Sequence, residues 1–411
     1  MNRDCLFGNK FVNIRDEKLF LGKKCLLDLI SQYPSPFFIF IKEKIEQNIS
    51  QIQNAFQKVF PKSVGFYSIK SNYLPEIVEI LKDQGFGAQI ISLPEFNLLQ
   101  KKQFSHDKIL LGGPYLPDNL IDKVIEQQIP WITIYDIDDL NRIQSKCQNK
   151  EYKINIILRF SKPKYTGRQG IRYDLDNIRR IIQIFQKSPN LIYQGLASHI
   201  GSQLNQESSY LENFEFLHEI ARSFQIEGGF ETLIYNIGGG FPNADSLPYK
   251  NLIKILSNIK NQLNCINWDK ITIFYEPGRY IVGDAGFCVS SIIKFDPAIN
   301  TNFLDIGIQF LPKFMRSTLR FYNIEHITSH HNRPIDFMGN LPSDDDVIIK
   351  NFNFSEENQT GNHVLIANVG AYSLTFSTRF PYPIPTILLL SQDSIKILYN
   401  SGDPSDISLI S

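Results

Sequence analysis

"VGFYSIK", residues 64–70, is a run of Val, Phe, Tyr and Ile closed by a lysine. It is too short for a stable helix, and its β-branched and aromatic content suits a strand. Further runs of the same kind follow: "AQIIS" (88–92), "KILLGG" (108–113), "WITIYD" (131–136), "INIILRF" (154–160), "YQGLASHI" (193–200), "LIYNIGGG" (233–240) and "TIFYEPG" (272–278). Between them stand stretches such as "LPEIVEILKDQ", "LPEFNLLQKKQ", "LDNIRRIIQIFQK" and "YKNLIKILSNIKNQL", whose apolar residues recur three and four apart, as on one face of a helix. Alternating strands and helices build a parallel sheet, and eight evenly spaced strands are the number that closes a TIM-type (β/α)8 barrel.

After about Asp284 the helical periodicity fades. "FCVSSIIKF", "LRFYNIEHI", "VIIKNF", "HVLIANV", "TILLL" and "IKILYN", separated by Pro, Asn, Asp and Gly, predict a second, mostly β domain. "KFVNI" and "LFLG" near the N-terminus are strand-like as well. The expected organisation is an N-terminal segment, 1–35, joining the β domain; a barrel domain, 36–284; and a C-terminal β-barrel or β-sandwich domain, 285–411. A length of 411 residues agrees with two cores, because single cores stop growing at about 250–300 residues.

Lys plus Arg and Asp plus Glu both count 42, so no basic excess favours nucleic acid or an anionic membrane. The five cysteines are scattered without a CxxC pair, which suggests neither a disulfide framework nor a thiolate zinc site and fits a reducing cytoplasm. The N-terminus is charged throughout, and no run of about 18 apolar residues occurs, so neither a signal peptide nor a membrane span is expected. A metal site from His326, His330, His331 and the aspartate run is not expected either, since adjacent residues of a strand point to opposite faces. The expected partner is a small molecule.

A TIM barrel builds its active site at the C-terminal ends of its strands, so the residue closing each run carries the most information. The first run ends in Lys70, an amine at the barrel mouth. The sixth ends "SHIGSQ", with His199, an imidazole able to stack on a flat ring, and Ser202, a hydroxyl able to hold a phosphate. The seventh ends in Gly238, Gly239 and Gly240, where backbone amides can approach an anion. The eighth ends "YEPGRY", offering the carboxylate of Glu276 and the guanidinium of Arg279. Taken singly, Lys70 reads as a surface lysine, His199 as a structural histidine and Glu276 with Arg279 as a salt bridge. Together on one rim they describe a pyridoxal 5'-phosphate (PLP) site.

The order of "SPFFIF", "FYSIKSN", "ASHIGSQ", "NIGGGFP", "EPGRYIV", "FLDIG" and "VGAYSL" along nearly the whole chain resembles the fold-type III PLP enzymes, specifically the ornithine, arginine and diaminopimelate decarboxylase family. The resemblance implies a PLP-binding barrel, a C-terminal β domain, a homodimer with active sites at the interface, and an amino acid or diamino acid as substrate. It makes Lys70 the Schiff-base lysine and His199 the ring-stacking imidazole. Glu276 becomes the partner of the pyridine nitrogen and Arg159 a neighbour of the cofactor oxygen. Ser202, Gly238, Gly239, Gly240, Gly278, Arg279 and Tyr372 become the phosphate shell. A carboxylate at Glu276 keeps the pyridinium protonated, which favours decarboxylation through a quinonoid intermediate.

That family reprotonates Cα with a cysteine in a loop resembling G-P-x-C-x-x-x-D, contributed by the partner subunit. Aligned without a gap, the loop here runs Gly339-Asn340-Leu341-Pro342-Ser343-Asp344-Asp345-Asp346, with proline in the cysteine's place. No cysteine follows Cys288. Ser343, Asp344, Asp345 and Asp346 are therefore the candidate substrate-contacting residues of the loop, and Asp344, Asp345, a histidine of "EHITSHHN" or water the candidate acids. Other departures are Gln89, where an aspartate is usual, and the lack of an Arg-Pro after "DIG", with Lys313 and Arg316 nearby. Two further outcomes stay open: decarboxylation ending in transamination or oxidation, and a non-catalytic partner or regulator of a true decarboxylase.

Overall fold

The computed structural model describes residues 9–148, 152–162, 169–315, 317–392 and 394–402. The chain separates into two compact units: Asn48–Tyr280, and a second one made from the flanking segments on both sides.

In the first unit eight parallel strands pair in chain order: β1 (Ser63–Ser68), β2 (Gly87–Ile90), β3 (Ile109–Gly112), β4 (Trp131–Ile134), β5 (Ile154–Ser161), β6 (Leu191–Ala197), β7 (Ile234–Asn236) and β8 (Thr272–Tyr275). β8 returns to β1, with Phe274 opposite Val64, and closes the barrel. Phe66, Leu110, Ile157, Ala197, Ile234 and Phe274 form one buried cluster, with Val64 and Trp131 packed against it. Each run read from the sequence overlaps one barrel strand, and every strand but the fifth ends one to four residues short of its run because the run's last positions turn into the loops that carry the chemistry.

The helices between strands follow from local sequence. Leu175–Gln186 buries Ile178, Ile181, Ile182 and Phe185, an i, i+3, i+4, i+7 stripe. It starts where Asp174 caps the Asn177 amide at 2.8 Å. Burying one such side chain contributes about 1.5–3 kcal/mol, which far exceeds the helix propensity differences along this segment.

The second unit holds a sheet ordered Val347–Ser355, His331–Met338, Thr301–Leu304, Gly286–Asp296, Phe37–Ile41, Thr386–Leu390 and Ile395–Tyr399, with His363–Ala367 joined to Gly286–Asp296 and Arg320–Asn323 to His363–Ala367. Residues 36–47, placed in the barrel domain by the sequence reading, belong here instead, as do those from Ile281 onward. "FFIFI" is buried at all five positions. It lies antiparallel to Gly286–Val289 and parallel to Thr386–Leu390. A strand covered on both faces reads as a continuous apolar run, and nothing in such a run says which distant strand it will pair with.

The loop Gly339–Asp346 lies in this second unit, and Asp346 is 1% exposed. Its Oδ1 accepts from the Ile308 amide at 2.7 Å and its Oδ2 from the Leu341 amide at 2.8 Å. The glycines Gly307 and Gly339 pack directly on the carboxylate. Asp346 was expected among substrate-contacting residues; it is instead the staple that shapes the loop, because both oxygens are committed to backbone donors. Pro342, Ser343, Asp344 and Asp345 are exposed at the tip, where the Ser343 hydroxyl accepts from the Asp345 amide at 3.2 Å. Lys313 is exposed in the same unit, and Arg316 lies outside the described residues.

Among the described residues no helix is long and apolar enough to cross a membrane, and no group of His, Cys, Asp and Glu is arranged to hold a metal ion.

Removing the staple leaves two buried amides unpaired, and each unmet partner costs about 1–3 kcal/mol. Asp346→Ala is therefore expected to lower unfolding free energy by roughly 2–5 kcal/mol in urea denaturation, while Asp344→Ala and Asp345→Ala stay within about 0.5 kcal/mol of the parent. Equal effects at the three positions would contradict this assignment.

Candidate active site

β1 runs straight into a 3-10 turn, Ile69–Ser71, that carries Lys70 to the C-terminal rim. The turn is pinned locally: Ser71 Oγ donates to the Ser68 carbonyl at 2.8 Å, and Tyr67 Oη to the Asn72 carbonyl at 3.0 Å. The Ser68 amide donates to Pro277 O at 3.1 Å, joining this turn to the segment after β8. Gln89, at the end of β2, accepts from Ser68 Oγ at 3.0 Å and donates from Nε2 to Gly112 O at 2.7 Å. A carboxylate at position 89 could not make the second bond, so the glutamine departure has a structural use here.

Three more loops converge on the rim. After β6, the Ser198 amide bonds to Asn236 O at 3.0 Å and His199 follows. After β7, Gly238 and Gly240 have φ of +69° and +89°, conformations that only glycine adopts readily. A Cβ on Gly238 would lie 2.7 Å from Ser198 O and 3.1 Å from His199 Nδ1; one on Gly239 would lie 2.5 Å from Glu276 O. After β8, the Glu276 amide donates to Gly238 O at 2.8 Å. The glycine turn is thus pressed between His199 on one side and Glu276 on the other. Gly278 and Arg279 are buried, and Ser202 is exposed on the loop after His199.

Asn236, fully buried, connects these parts. Its Nδ2 donates to Glu276 Oε1 at 2.6 Å, and its Oδ1 accepts from the Gly238 amide at 2.9 Å. One side chain therefore fixes both the carboxylate and the first glycine. Arg159 lies in β5 two residues before its end, where Nη1 donates to Tyr135 Oη at 2.7 Å and the guanidinium lies 4.4 Å from the Tyr135 ring centroid. Glu95 is buried in the first turn after β2, where its Oε2 accepts from the Ile91 amide at 2.6 Å and its own amide reaches Ser92 Oγ at 3.5 Å.

These charges act on one another. Lys70 keeps accessible surface at the rim, yet protein crowds its ammonium closely enough that burial is the strongest influence and lowers its pKa; Glu276 opposes this, Arg159 reinforces it and Glu95 opposes it weakly. The result is a larger fraction of free amine near neutral pH, the form that is nucleophilic. His199, half-buried by area but enclosed by protein, is pushed down to about 3 by burial, helped by Arg159 and Lys70, so its ring is neutral under ordinary conditions. Burial raises the Glu95 carboxyl and the Tyr135 phenol.

Lys70, His199, Gly238, Gly239, Gly240 and Glu276 stand at the strand ends of the barrel rim where the sequence put them, and Arg159, named only by the resemblance, lies in β5 toward the same end. Tyr372 lies in the other unit at a φ of +66°, a strained conformation for an aromatic residue, with its ring centroid 5.9 Å from that of Phe376. Asn236, Glu95 and Tyr135 were not singled out from sequence. Asn236 sits inside the quoted "LIYNIGGG", and Glu95 completes a Ser-x-x-Glu capping box at 92–95, so both carried a readable signal. Tyr135 carried none beyond closing a strand.

The residues fit PLP on two structural grounds. Arg159 Nε is a buried donor without a hydrogen-bond partner among the described residues. The glycine turn, in which any Cβ would collide with backbone, presents only main chain.

A family model described as pyridoxal-dependent decarboxylase, pyridoxal binding domain, matches residues 44–283. The chain is 24% identical to a diaminopimelate decarboxylase of Aquifex aeolicus (strain VF5), covering 95% of this chain and 94% of the relative. It is 23% identical to a lysine/ornithine decarboxylase of Selenomonas ruminantium, covering 90% and 94%. A crystal structure of diaminopimelate decarboxylase from M. jannaschii has the same fold, with a TM-score of 0.86 at 20% identity and coverage of 98% and 97%. Because the matched model spans more than half of the chain and every barrel strand, the protein belongs to the pyridoxal-dependent decarboxylases, carboxy-lyases whose cofactor is pyridoxal phosphate.

Proposed function

We propose that this chain decarboxylates a diamino acid of the diaminopimelate, lysine or ornithine type at Cα, as a homodimer. The observation that carries the reading is the convergence of Lys70, His199, the Gly238–Gly240 turn and Glu276 on one rim, with Asn236 bonded to both Glu276 and Gly238. The relatives named for diaminopimelate and for lysine or ornithine support the substrate class.

Bound pyridoxal phosphate supplies an electron sink for the pair left when carbon dioxide departs. The chain's residues do the rest. Lys70 holds the cofactor through its ε-nitrogen, helped by a lowered pKa that keeps this nitrogen unprotonated more of the time. Glu276 holds a proton on the ring nitrogen, with its carboxylate oriented by Asn236. His199, neutral, offers a flat face against the ring without adding charge. Arg159 directs its unpartnered Nε to a cofactor oxygen. Ser202, Gly238, Gly239, Gly240, Gly278 and Arg279 hold the phosphate, the glycines through main chain alone.

Return of a proton to Cα falls to the loop at 339–346. Pro342 has no proton to give, and the exposed carboxyls of Asp344 and Asp345, contributed by the partner subunit, are its nearest substitutes in sequence. The same proline favours a second reading, in which this loop would not return the proton to Cα and the reaction would end in transamination.

Meso-diaminopimelate, lysine, ornithine and arginine are to be assayed for carbon dioxide release while the cofactor spectrum is followed. Sustained turnover to the amine, lowered roughly 10²- to 10⁴-fold by Lys70→Ala, is expected. Release that stops after one equivalent with the pyridoxamine form accumulating selects the second reading, and no release from any of them overturns both.

Asn236→Ala frees the Glu276 carboxylate of the bond that orients it. kcat is expected to fall about tenfold, a loss of about 1.4 kcal/mol, with KM for the amino acid little changed. A lower Tm with an unmoved kcat would mark Asn236 as merely structural.

A further inference from the structure

The other end of the same barrel carries a cavity of about 690 Å³. TIM barrels are normally filled by layers of side chains, and this volume falls within the roughly 300–1,000 Å³ of small-molecule sites. Its walls are apolar: Val64 and Phe66 of β1, Trp131 at the start of β4, Leu233 and Ile234 at β7, and Phe274 of β8. Trp131 meets Phe274 edge to face at 5.4 Å, and Phe66 meets Phe274 at 4.9 Å. Leu233 is 38% exposed, although it borders this apolar wall. The rim is charged.

Lys62, Lys108 and Lys270 stand against Asp107 and Glu231, an excess of one positive charge. Lys270 is paired with Glu231 at 2.9 Å, and Lys62 donates to Asp269 O at 2.5 Å. Asp107 accepts from Ser105 Oγ, and Gln194 donates to Asn155 Oδ1 at 3.1 Å. The Lys108 ammonium makes no ion pair or hydrogen bond among the described residues, its amide alone bonding to Ser105 O at 3.1 Å. An apolar well with aromatic walls and one uncommitted ammonium at its mouth matches a flat ligand with a single negative charge.

We propose that the barrel floor is a second ligand site, distinct from the Lys70 rim, that takes an aromatic monoanion: its ring lies against Trp131 and Leu233 and its carboxylate or sulfonate on Lys108. Aromatic edge-to-face contacts supply the geometry and Lys108 the charge selection. The site does not depend on which amino acid is decarboxylated at the rim.

The cofactor-loaded enzyme is to be titrated with 1-anilinonaphthalene-8-sulfonate by fluorescence, with indole-3-acetate and neutral indole as competitors. Saturable binding at one site per chain is expected, displaced by indole-3-acetate far better than by indole. Thr272→Trp, which fills the well, and Lys108→Glu, which reverses the mouth charge, should each weaken binding at least about tenfold. Lys108→Glu alone decides the charge claim if Thr272→Trp does not fold. Absence of saturable binding, unchanged affinity in Lys108→Glu, or equal displacement by indole would overturn the proposal.

Discussion

The register of β8 on β1, Phe274 opposite Val64 and Tyr275 opposite Gly65, is the constraint from which the site follows. It closes the barrel and brings the carboxylate of Glu276 beside the loop that carries Lys70, although the two lie near opposite ends of the unit in sequence. The bond from the Ser68 amide to Pro277 O extends this pairing by one step past the sheet, so the two loops cannot move apart without breaking the ladder's continuation. Asn236 then ties Glu276 to the glycine turn of the neighbouring strand. Positions that need accuracy are thereby set by strand pairing and by one buried amide, which is how a rigid scaffold holds reactive groups in place.

The electrostatics of the rim follow from the same crowding. The Lys70 ammonium, the His199 imidazole and the Glu95 carboxyl share a small volume in which burial pushes each toward its neutral form. For Lys70 neutrality means nucleophilicity, and for His199 it means a ring that adds no charge against a cofactor. Glu95 belongs to this set through its attraction to Lys70, while its hydrogen bonds serve the start of a helix. A single residue thus supports local structure and tunes the amine.

Much of this was legible in the sequence, and the exceptions have physical reasons. The barrel strands announced themselves because parallel strands covered on both faces are short, apolar and bounded by polar loops. The rim residues were legible because the fold dictates which strand end is chemical. The domain boundary at 36 was misplaced because Phe37–Ile41 is recruited by strands from the far end of the chain, a non-local pairing that no window of sequence contains. Asp346 was placed among the substrate-contacting residues by its position in the aligned loop, yet its burial against Gly307 and Gly339 could be read only from the fold. Asn236 was visible as a letter, and its role depended on knowing that Glu276 would stand on the adjacent strand.

The central claim is that Lys70 is the residue that holds the cofactor. Borohydride reduction of the cofactor-loaded enzyme, followed by peptide mass spectrometry, tests it most directly. A pyridoxyl group on the peptide containing Lys70 and on no other lysine is the predicted result. A label on a different lysine, or a protein that binds pyridoxal phosphate yet yields no labelled peptide, would contradict the account.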